Sequence, residues 1–181
     1  LHSSKSMRFL NNVIGVNAIL PYNANGINSI GFEVDDTYFE STRNLITEYP
    51  GQSLKPRTVG FAGIRLSRVS SLVIGGGITE KIHFKNLNFG IFSNVSNLIV
   101  ENCKFKDILN YDPGYPRGRF SGTGIYCESK ATLNELTQTG DNDNLDADFD
   151  NCLTGILTMQ TGLRISENQM RNVDIGIRSL H

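Results

Sequence analysis

The sequence predicts an all-β fold, namely a right-handed, single-stranded parallel β-helix (a β-solenoid) of roughly six coils with inserted loops. Two observations predict it. A Gly followed by Ile or Val recurs along the chain of 181 residues, and apolar residues between these steps fall at every second position, which is the period of a strand. The steps begin at Gly15, Gly63, Gly90, Gly124, Gly155 and Gly176.

Two gapless matches support the repeat. Residues 67–74 align with 93–100, and residues 82–89 align with 98–105. Because one coil cannot bury its inward side chains alone, the coils must stack, with strands about 4.8 Å apart. We expect the repeated Gly to supply a tight backbone at one corner of each coil.

Insertions explain why the glycines are unevenly spaced. Residues 110–121 are rich in Pro and Gly and residues 131–145 are polar, so we expect both to be loops. Within residues 35–57, the capping-box spacing of Thr37 and Glu40 predicts a short helix that Pro50-Gly51 would end. Coils of about 21 to 27 residues remain when these segments are removed.

The chain divides into two parts on this interpretation. Residues 1–58 form N-terminal coils or a cap with the short helix, and residues 59–181 form the parallel β-helix coils. The chain begins at Leu1 without Met and stops at His181 within what reads as another coil. We therefore expect a fragment of a longer solenoid, or a chain whose end strands stack on further coils or on another chain.

Composition excludes two classes of partner. The formal net charge is −1, so no broad basic field is present to attract the phosphate backbone of a nucleic acid. No stretch approaches the roughly 18 to 20 apolar residues that a membrane span needs. No cofactor is required by any pattern in the sequence.

Four asparagines share a repeated position, shortly before the Gly-Ile steps or in aligned blocks. Asparagine tolerates left-handed backbone dihedrals, and its amide can bond the same amide one coil away. The sequence predicts a structural Asn ladder inside the solenoid rather than a set of ligand groups. Its members are Asn86, Asn102, Asn151 and Asn172.

Residues 100–105 (VENCKF) and 149–152 (FDNC), with the Gly-Ile strands that follow them, carry a family resemblance. They resemble right-handed parallel β-helix proteins of pectate-lyase type, well over residues 60–181 and weakly over 1–58. The resemblance implies architecture more than activity, because that group includes polysaccharide lyases, glycoside hydrolases, phage tailspikes and bacterial surface proteins. It implies a secreted or cell-surface location.

The cysteines allow two states. Cys103 and Cys152 take the same register in the aligned blocks, so either a disulfide or two buried thiols packed as small apolar groups fits. Cys127 lies on another face and should be unpaired. The three show no metal-ligand spacing.

An acidic segment suggests calcium. Asp146, Asp148 and Asp150 alternate with Ala147 and Phe149, so we expect three outward carboxylates, a ligand type that Ca²⁺ accepts. A solvated acidic loop edge is the alternative.

The same alignment predicts an outward column on the coils, in which Asp150 stacks over Glu101. These two carboxylates would repel each other unless a cation intervened. The column contains Lys85, Glu101, Asp150 and Glu167.

Aromatic and guanidinium groups alternate in the loop of residues 111–120. Tyr111, Tyr115, Arg117 and Arg119 suit sugar stacking and the binding of sugar carboxylates, and a purely structural loop is the alternative. In the resembled lyases, an Arg or Lys abstracts the substrate proton beside Ca²⁺, a role that only Arg117 or Arg119 could be assigned here. His83 reads as an outward surface residue.

Two functions follow from these patterns. The leading hypothesis is a secreted or cell-surface β-helix module that acts as a rigid structural, adhesive or glycan-binding surface. The alternative is a carbohydrate-active enzyme, a polysaccharide lyase or glycoside hydrolase that acts on an acidic polysaccharide. An enzyme needs the loops and outward acids to converge on one face, whereas a spacer does not.

Overall fold

The computed structural model describes residues 7–19, 33–34, 36–42, 48–49, 52–53, 60–69, 72–75, 81–111, 120–129, 135–140 and 147–180. Over these ranges the chain is all-β with parallel sheets and contains no α-helix, so the predicted fold class is confirmed at that level. It follows that no helix capable of crossing a membrane is found in them.

The strands lie in three rows. The first row consists of β1 (Met7–Leu10), β4 (Thr37–Glu40), the start of β9 (Ile82–Asn94), β11 (Cys103–Ile108), and the starts of β14 (Phe149–Met159) and β16 (Met170–Leu180). The second row consists of β2 (Ile14–Ile19), β7 (Gly60–Ser67), β12 (Thr123–Glu128) and the later parts of β9, β14 and β16. Because β9, β14 and β16 run through both rows, these two rows form one sheet.

A separate sheet forms the third row. It consists of β3 (Glu33–Val34), β8 (Leu72–Ile74), β10 (Leu98–Glu101), β13 (Glu135–Thr139) and β15 (Gly162–Ser166). All pairings within the three rows are parallel, and β5 (Glu48–Tyr49) with β6 (Gln52–Ser53) forms a small antiparallel pair outside them. The chain visits the rows in a fixed order, as β11, β12 and β13 illustrate.

The Gly-Ile steps align across the second row as the repeat predicts. Val16 pairs with Ile64, and the column continues through every later step to Ile177 on β16. Four members of this column, Ile64, Ile91, Ile125 and Ile156, are fully buried. The core is therefore an apolar column enclosed by the three rows.

A column of phenylalanine rings runs beside it in the first row. Phe9, Phe39, Phe84, Phe105 and Phe149 stack with ring centroids 4.8–5.0 Å apart and almost parallel planes. Met170 on β16 takes the next position. Since this spacing is that of neighbouring strands, the stack follows directly from the parallel register.

The repeated glycines leave room for these rings. A Cβ on Gly90 would lie 2.5 Å from Cδ1 of Phe105 and 2.6 Å from the carbonyl oxygen of Gly124. A Cβ on Gly63 would collide in the same way with the ring of Phe84, and a Cβ on Gly124 would collide with the ring of Phe149. None of the repeated glycines has the left-handed backbone expected of a corner. They are required because a side chain would collide with the aromatic column.

The four asparagines of the predicted ladder all have left-handed backbone dihedrals. Asn86, Asn151 and Asn172 follow the first row with left-handed φ of 53°, 55° and 53°, and Asn11 does so with φ 57°. Asn102 has φ 52° but follows β10, so it turns at the corner after the third row. Asp107 occupies the first-row corner in that strand.

The corner amides do not bond one another in the manner predicted. Asn151 Nδ2 donates to Asp107 Oδ1 at 2.7 Å, Asn172 Nδ2 donates to Asp150 Oδ1 at 3.1 Å, and Asn86 Nδ2 donates to the carbonyl oxygen of Ser41 at 3.0 Å. Asn151 and Asn172 are exposed. These asparagines are turn residues whose amides tie one strand to the next from outside.

The register corrects two further predictions. Cys103 pairs with Ile82, whereas Cys152 pairs with Ile108, so the two cysteines occupy different columns. The outward column of the first row runs from Leu10 through β4, β9, β11 and β14 to Arg171. It excludes Glu101, which lies in the third row, and Glu167, which follows the third-row strand β15. The alignment of residues 82–89 with 98–105 is therefore wrong, because it superimposes different rows.

The predicted helix near Thr37 is also wrong. Thr37–Glu40 is strand β4, with Phe39 in the aromatic column and alternate side chains buried. Packing of that alternating pattern against β1 and β9 outweighs the capping-box signal. Pro50-Gly51 lies outside the described residues, and the flanking Glu48–Tyr49 and Gln52–Ser53 are the antiparallel pair. Strands β1, β2 and β4 join the same sheet as later strands, and β3 joins the third row.

Candidate functional site

A groove lies on the outer surface of the first row. It has a volume of about 210 Å³ and is lined by side chains from β1, β4, β9, β11 and β14 together with Ala147. We call it the first-row groove. Its lining is Arg8, Tyr38, Phe39, Glu40, His83, Phe84, Lys85, Lys104, Phe105, Lys106, Ala147 and Asp150.

Strand alternation places two outward columns in the groove. The first column is Arg8, Tyr38, His83 and Lys104, which pair in register on four neighbouring strands. The second column lies two residues further along each strand and contains Glu40, Lys85, Lys106 and Asp150. The rigid sheet therefore fixes the order in which charges and rings follow one another.

Aromatic stacking organises the first column. The rings of Tyr38 and His83 are parallel with centroids 4.6 Å apart, and the Arg8 guanidinium lies 5.6 Å from the centroid of the Tyr38 ring. Tyr38 is thus held between a cation and an imidazole. Because both of its faces are engaged along the column, a ligand in the groove would meet the edge of this ring and not its face.

Lys104 is balanced by a buried carboxylate. Its Nζ lies 3.4 Å from Asp148 Oδ1, and the two side chains are 5% and 1% exposed. Asp148 Oδ2 accepts a hydrogen bond from the backbone N–H of Gln169 at 2.8 Å. The pair adds no net charge to the groove, and it ties β11 to the turn that precedes β16.

Ion pairs also dominate the second column. Lys85 Nζ lies 3.2 Å from Glu40 Oε1, and Lys106 Nζ lies 4.0 Å from Asp150 Oδ2. Arg171 holds Asp150 with both nitrogens of its fork, Nη2 to Oδ2 at 2.9 Å and Nε to Oδ1 at 3.3 Å. These hydrogen bonds hold the pKa of the Asp150 carboxyl below its usual value, although burial opposes them.

Lys85 and Lys106 face each other across adjacent strands. They are direct register partners, and their side chains are 44% and 56% exposed. Like charges directly opposite each other in a sheet repel. Because Asp148 neutralises Lys104, the lining keeps three cationic side chains against two carboxylates, and this excess of one positive charge favours an anionic ligand.

The predicted sugar-binding loop is only partly described. Tyr111 Oη donates a hydrogen bond to the carbonyl oxygen of Asp107 at 3.2 Å, and burial, together with the nearby Asp107 carboxylate, raises its pKa. It packs against its own chain and does not line the first-row groove. Tyr115, Arg117 and Arg119 lie outside the described residues, so their proposed binding role stays a prediction.

The predicted acidic cation site looks different in the structure. Asp148 is fully buried rather than outward, in the pair with Lys104, and Asp150 is held by Arg171. Asp146 lies outside the described residues. The residues that are described contain no group of three His, Cys, Asp or Glu side chains able to hold a metal. Calcium at Asp146 stays a prediction, and the two aspartates that are seen have cationic partners already.

The cysteines are buried and form no disulfide with one another. Burial raises the pKa of Cys127 and of Cys152 to about 12. Neither thiol ionises readily near neutral pH, which makes both thiols poor nucleophiles there. Of the two states that the sequence allowed, the structure has the packed thiols.

Most groove residues were missed in the sequence. Arg8, Tyr38 and Lys106 belong to no motif, and His83 was interpreted only as a surface residue. Lys104 lies in the block of residues 100–105 but was given no role there. Their signal is alternation: each stands next to a phenylalanine of the aromatic column. Once the five phenylalanines are aligned, the residues one place before and one place after each ring define the two columns.

The described residues form an all-β chain with parallel sheets and a groove on the outer surface of the first row. Comparison with known proteins finds no matching family model, no matching curated protein and no matching solved structure. The likeness to proteins of pectate-lyase type therefore rests on the sequence blocks of residues 100–105 and 149–152.

Proposed function

We propose that the chain is a right-handed parallel β-helix of about six coils, each coil contributing one strand to each row. The support is the register, since the Phe column and the Gly-Ile column advance together from β1 and β2 to β16. Right-handed winding is the usual sense for parallel connections of this kind. Together with the family resemblance, the architecture favours a secreted or cell-surface protein.

We infer that the module binds an anionic glycan in the first-row groove. The observation that carries this proposal is the pairing of Lys85 with Lys106 on a rigid surface, beside the edges of Tyr38 and His83. The sheet fixes the backbone positions of these groups before the ligand arrives, so little backbone entropy is lost on binding. An acidic oligosaccharide offers both the charges and the edge contacts that this groove suits.

Binding fits the groove better than catalysis does. Its two carboxylates, Glu40 and Asp150, are both engaged with cations, and the lowered pKa of Asp150 keeps that group ionised and unsuited to donate a proton. A lyase or hydrolase that acts on acidic polysaccharide remains the second hypothesis. It would depend on Arg117 or Arg119, which lie outside the described residues.

The test compares acidic with neutral oligosaccharides by calorimetry, with and without Ca²⁺. We expect polygalacturonate and heparin oligosaccharides to bind and neutral dextran oligosaccharides not to bind. The K85Q/K106Q variant should weaken binding at least about tenfold, because each substitution removes a charge-assisted contact. The matched control is R164Q/R178Q, which removes two exposed charges from β15 and β16 outside the groove lining.

The outcomes separate the two hypotheses. Equal binding of neutral and acidic oligosaccharides, or equal losses in the two double variants, would contradict a groove selective for anions. New ultraviolet absorbance from unsaturated sugar ends would favour the lyase. If that absorbance also required Ca²⁺, the Asp146 segment would become the candidate cation site.

End-to-end stacking on further coils or on another chain is our proposal for partners. Ile175 and Ile177 on β16 are 39% and 49% exposed, whereas Ile156, which pairs with Ile177, is fully buried. A further strand would cover both side chains and pair with the open backbone edge.

A further inference from the structure

The charge order of the second outward column contains one unfavourable step. Glu40, Lys85, Lys106, Asp150 and Arg171 follow one another across the first row. Every neighbouring pair in that order has opposite charges, apart from Lys85 beside Lys106. Repulsion between the two ammonium groups favours an anion between them. The same argument, applied to two carboxylates, was the reason to expect a cation between Asp150 and Glu101 from the sequence alignment.

The other cations near the step are already engaged. Lys104 is buried with Asp148, the fork of Arg171 grips Asp150, and the Arg8 guanidinium lies over the Tyr38 ring. Lys85 and Lys106 do have carboxylate partners, at 3.2 Å and 4.0 Å, but those partners lie on the two outer sides of the pair. The space between the lysines is therefore bordered by positive charge on both strands.

The shape of the donors indicates the kind of anion. A planar carboxylate is recognised best by the fork of an arginine, with two parallel hydrogen bonds. Lysine ammonium groups are compact point charges with donors that rotate. Two of them at strand spacing, about 4.8 Å between backbones, suit an anion that presents oxygens in several directions.

We propose that Lys85 and Lys106 form a subsite for a tetrahedral oxyanion, a sulfate or phosphate ester carried by the glycan that the groove binds. This inference rests on the proposed function, since the groove supplies the remaining contacts. His83 and Lys104 lie two residues before the lysines on the same two strands and border the subsite on one side. A glycan whose only anionic groups are carboxylates binds in the groove without placing a tetrahedral anion between Lys85 and Lys106.

The experiment uses the whole chain and five probes: inorganic sulfate, inorganic phosphate, mannose 6-phosphate, a heparin tetrasaccharide and its chemically desulfated counterpart. Each is titrated at constant ionic strength, set with sodium chloride, while the amide resonances of Lys85 and Lys106 are followed by NMR. We expect sulfate to shift both resonances in the wild type. The K106Q variant should lose at least about tenfold in affinity for the tetrasaccharide, whereas R178Q should lose none.

The outcomes separate the subsite from the groove. If the desulfated and sulfated tetrasaccharides bind equally well, the subsite is wrong and the proposed function stands. If sulfate shifts the two resonances but no oligosaccharide binds, the subsite stands and the glycan function is wrong. If sulfate shifts the amide resonances of Lys85 and Lys106 no more than chloride does, the subsite is wrong. Mannose 6-phosphate binding more tightly than inorganic phosphate identifies a phosphorylated sugar as the source, and tighter binding of the sulfated tetrasaccharide identifies a sulfated one.

Discussion

The repeated glycines from Gly15 to Gly124 each pack against an aromatic ring from the following strand of the first row, whereas Gly155 and Gly176 pack against Met170. Gly90 and Phe105 show the contact most clearly, because the hypothetical Cβ would collide with the ring and also with the backbone of Gly124. The sequence made the glycine pattern visible but not its cause. A spacing alone does not distinguish a residue needed for its dihedrals from one needed for its small size.

We predict that Gly90→Ala destabilises the protein by about 2 kcal/mol or more, as overpacking a rigid core does. Gly176→Ala is the matched control. There the contact within 4 Å is Met170 Sδ at 3.1 Å, on a flexible side chain that can move away. We expect a change within about 0.5 kcal/mol. Urea unfolding midpoints measure both, and equal losses in the two variants would show that steric contact with the ring is not the cause.

Strands are joined in two distinct ways, by the apolar columns inside and by charge pairs outside. The blocks of residues 100–105 and 149–152 resemble each other because both contain an acidic residue, Asn and Cys in series. In the first block the Asn lies at the corner after the third row, and in the second it lies at the corner after the first row. Local sequence cannot assign a corner when two corners use the same left-handed residue type.

The misassigned corner also concealed the groove. Lys85 was placed over Glu101, whereas it pairs with Lys106. One wrong step in register changes every outward neighbour that follows from it.

The buried pair of Lys104 and Asp148 should be strongly coupled. We predict that Lys104→Met costs about 3 kcal/mol, because it leaves a carboxylate buried without its counter-charge. The double variant K104M/D148N should recover at least about 1 kcal/mol of that loss, since no charge then remains buried. A double-mutant cycle by chemical denaturation measures the coupling.

The exposed pair of Arg164 and Glu135 provides the comparison for this cycle. Their side chains are 76% and 46% exposed, so Arg164→Met should cost no more than about 0.5 kcal/mol. If K104M were as mild as R164M, Lys104 and Asp148 would not form a buried pair in solution.

The whole molecule is held together unevenly from one end to the other. β16 pairs with β14, and most of its side chains are exposed or half-buried. Asp150 on β14 fastens it from outside through Arg171 and Asn172. The last strand therefore depends on one carboxylate more than the buried strands do.

Acid should release β16 before the rest of the chain unfolds. Arg171 lowers the pKa of Asp150 from its ordinary 3.8, so the carboxylate stabilises the fold above pH 3.8, and this stabilisation is lost as the pH falls below 3.8 through the lowered value. Hydrogen exchange along a pH series, corrected for intrinsic rates, should show loss of protection in β16 over that range. Asp150→Asn should show the loss already at neutral pH, and Asp174→Asn, an exposed control on β16, should not. Unchanged protection of β16 in D150N would contradict this role.

For the molecule as a whole, the sequence predicted the all-β class, the parallel arrangement and the column of Gly-Ile steps. Those features could be predicted because periodicity and repeats extend along much of the chain. It did not predict the groove. The groove depends on which outward residues become neighbours, and that follows from insertion lengths between strands, such as residues 110–121, rather than from any single motif. The other predicted loop, residues 131–145, is wrong in part, because Glu135–Thr139 is strand β13 of the third row.

The contact between glycine and ring also has a direction. Gly15 contacts the ring of Phe39, and Gly63 contacts the ring of Phe84. Each later glycine contacts the bulky side chain of the next first-row strand in the same way, up to Gly155 and Met170. The bulky side chain and the glycine that it contacts therefore lie on strands in a fixed order along the chain. We expect that duplicating or deleting a segment would preserve these contacts only if the segment carries one bulky side chain together with one glycine.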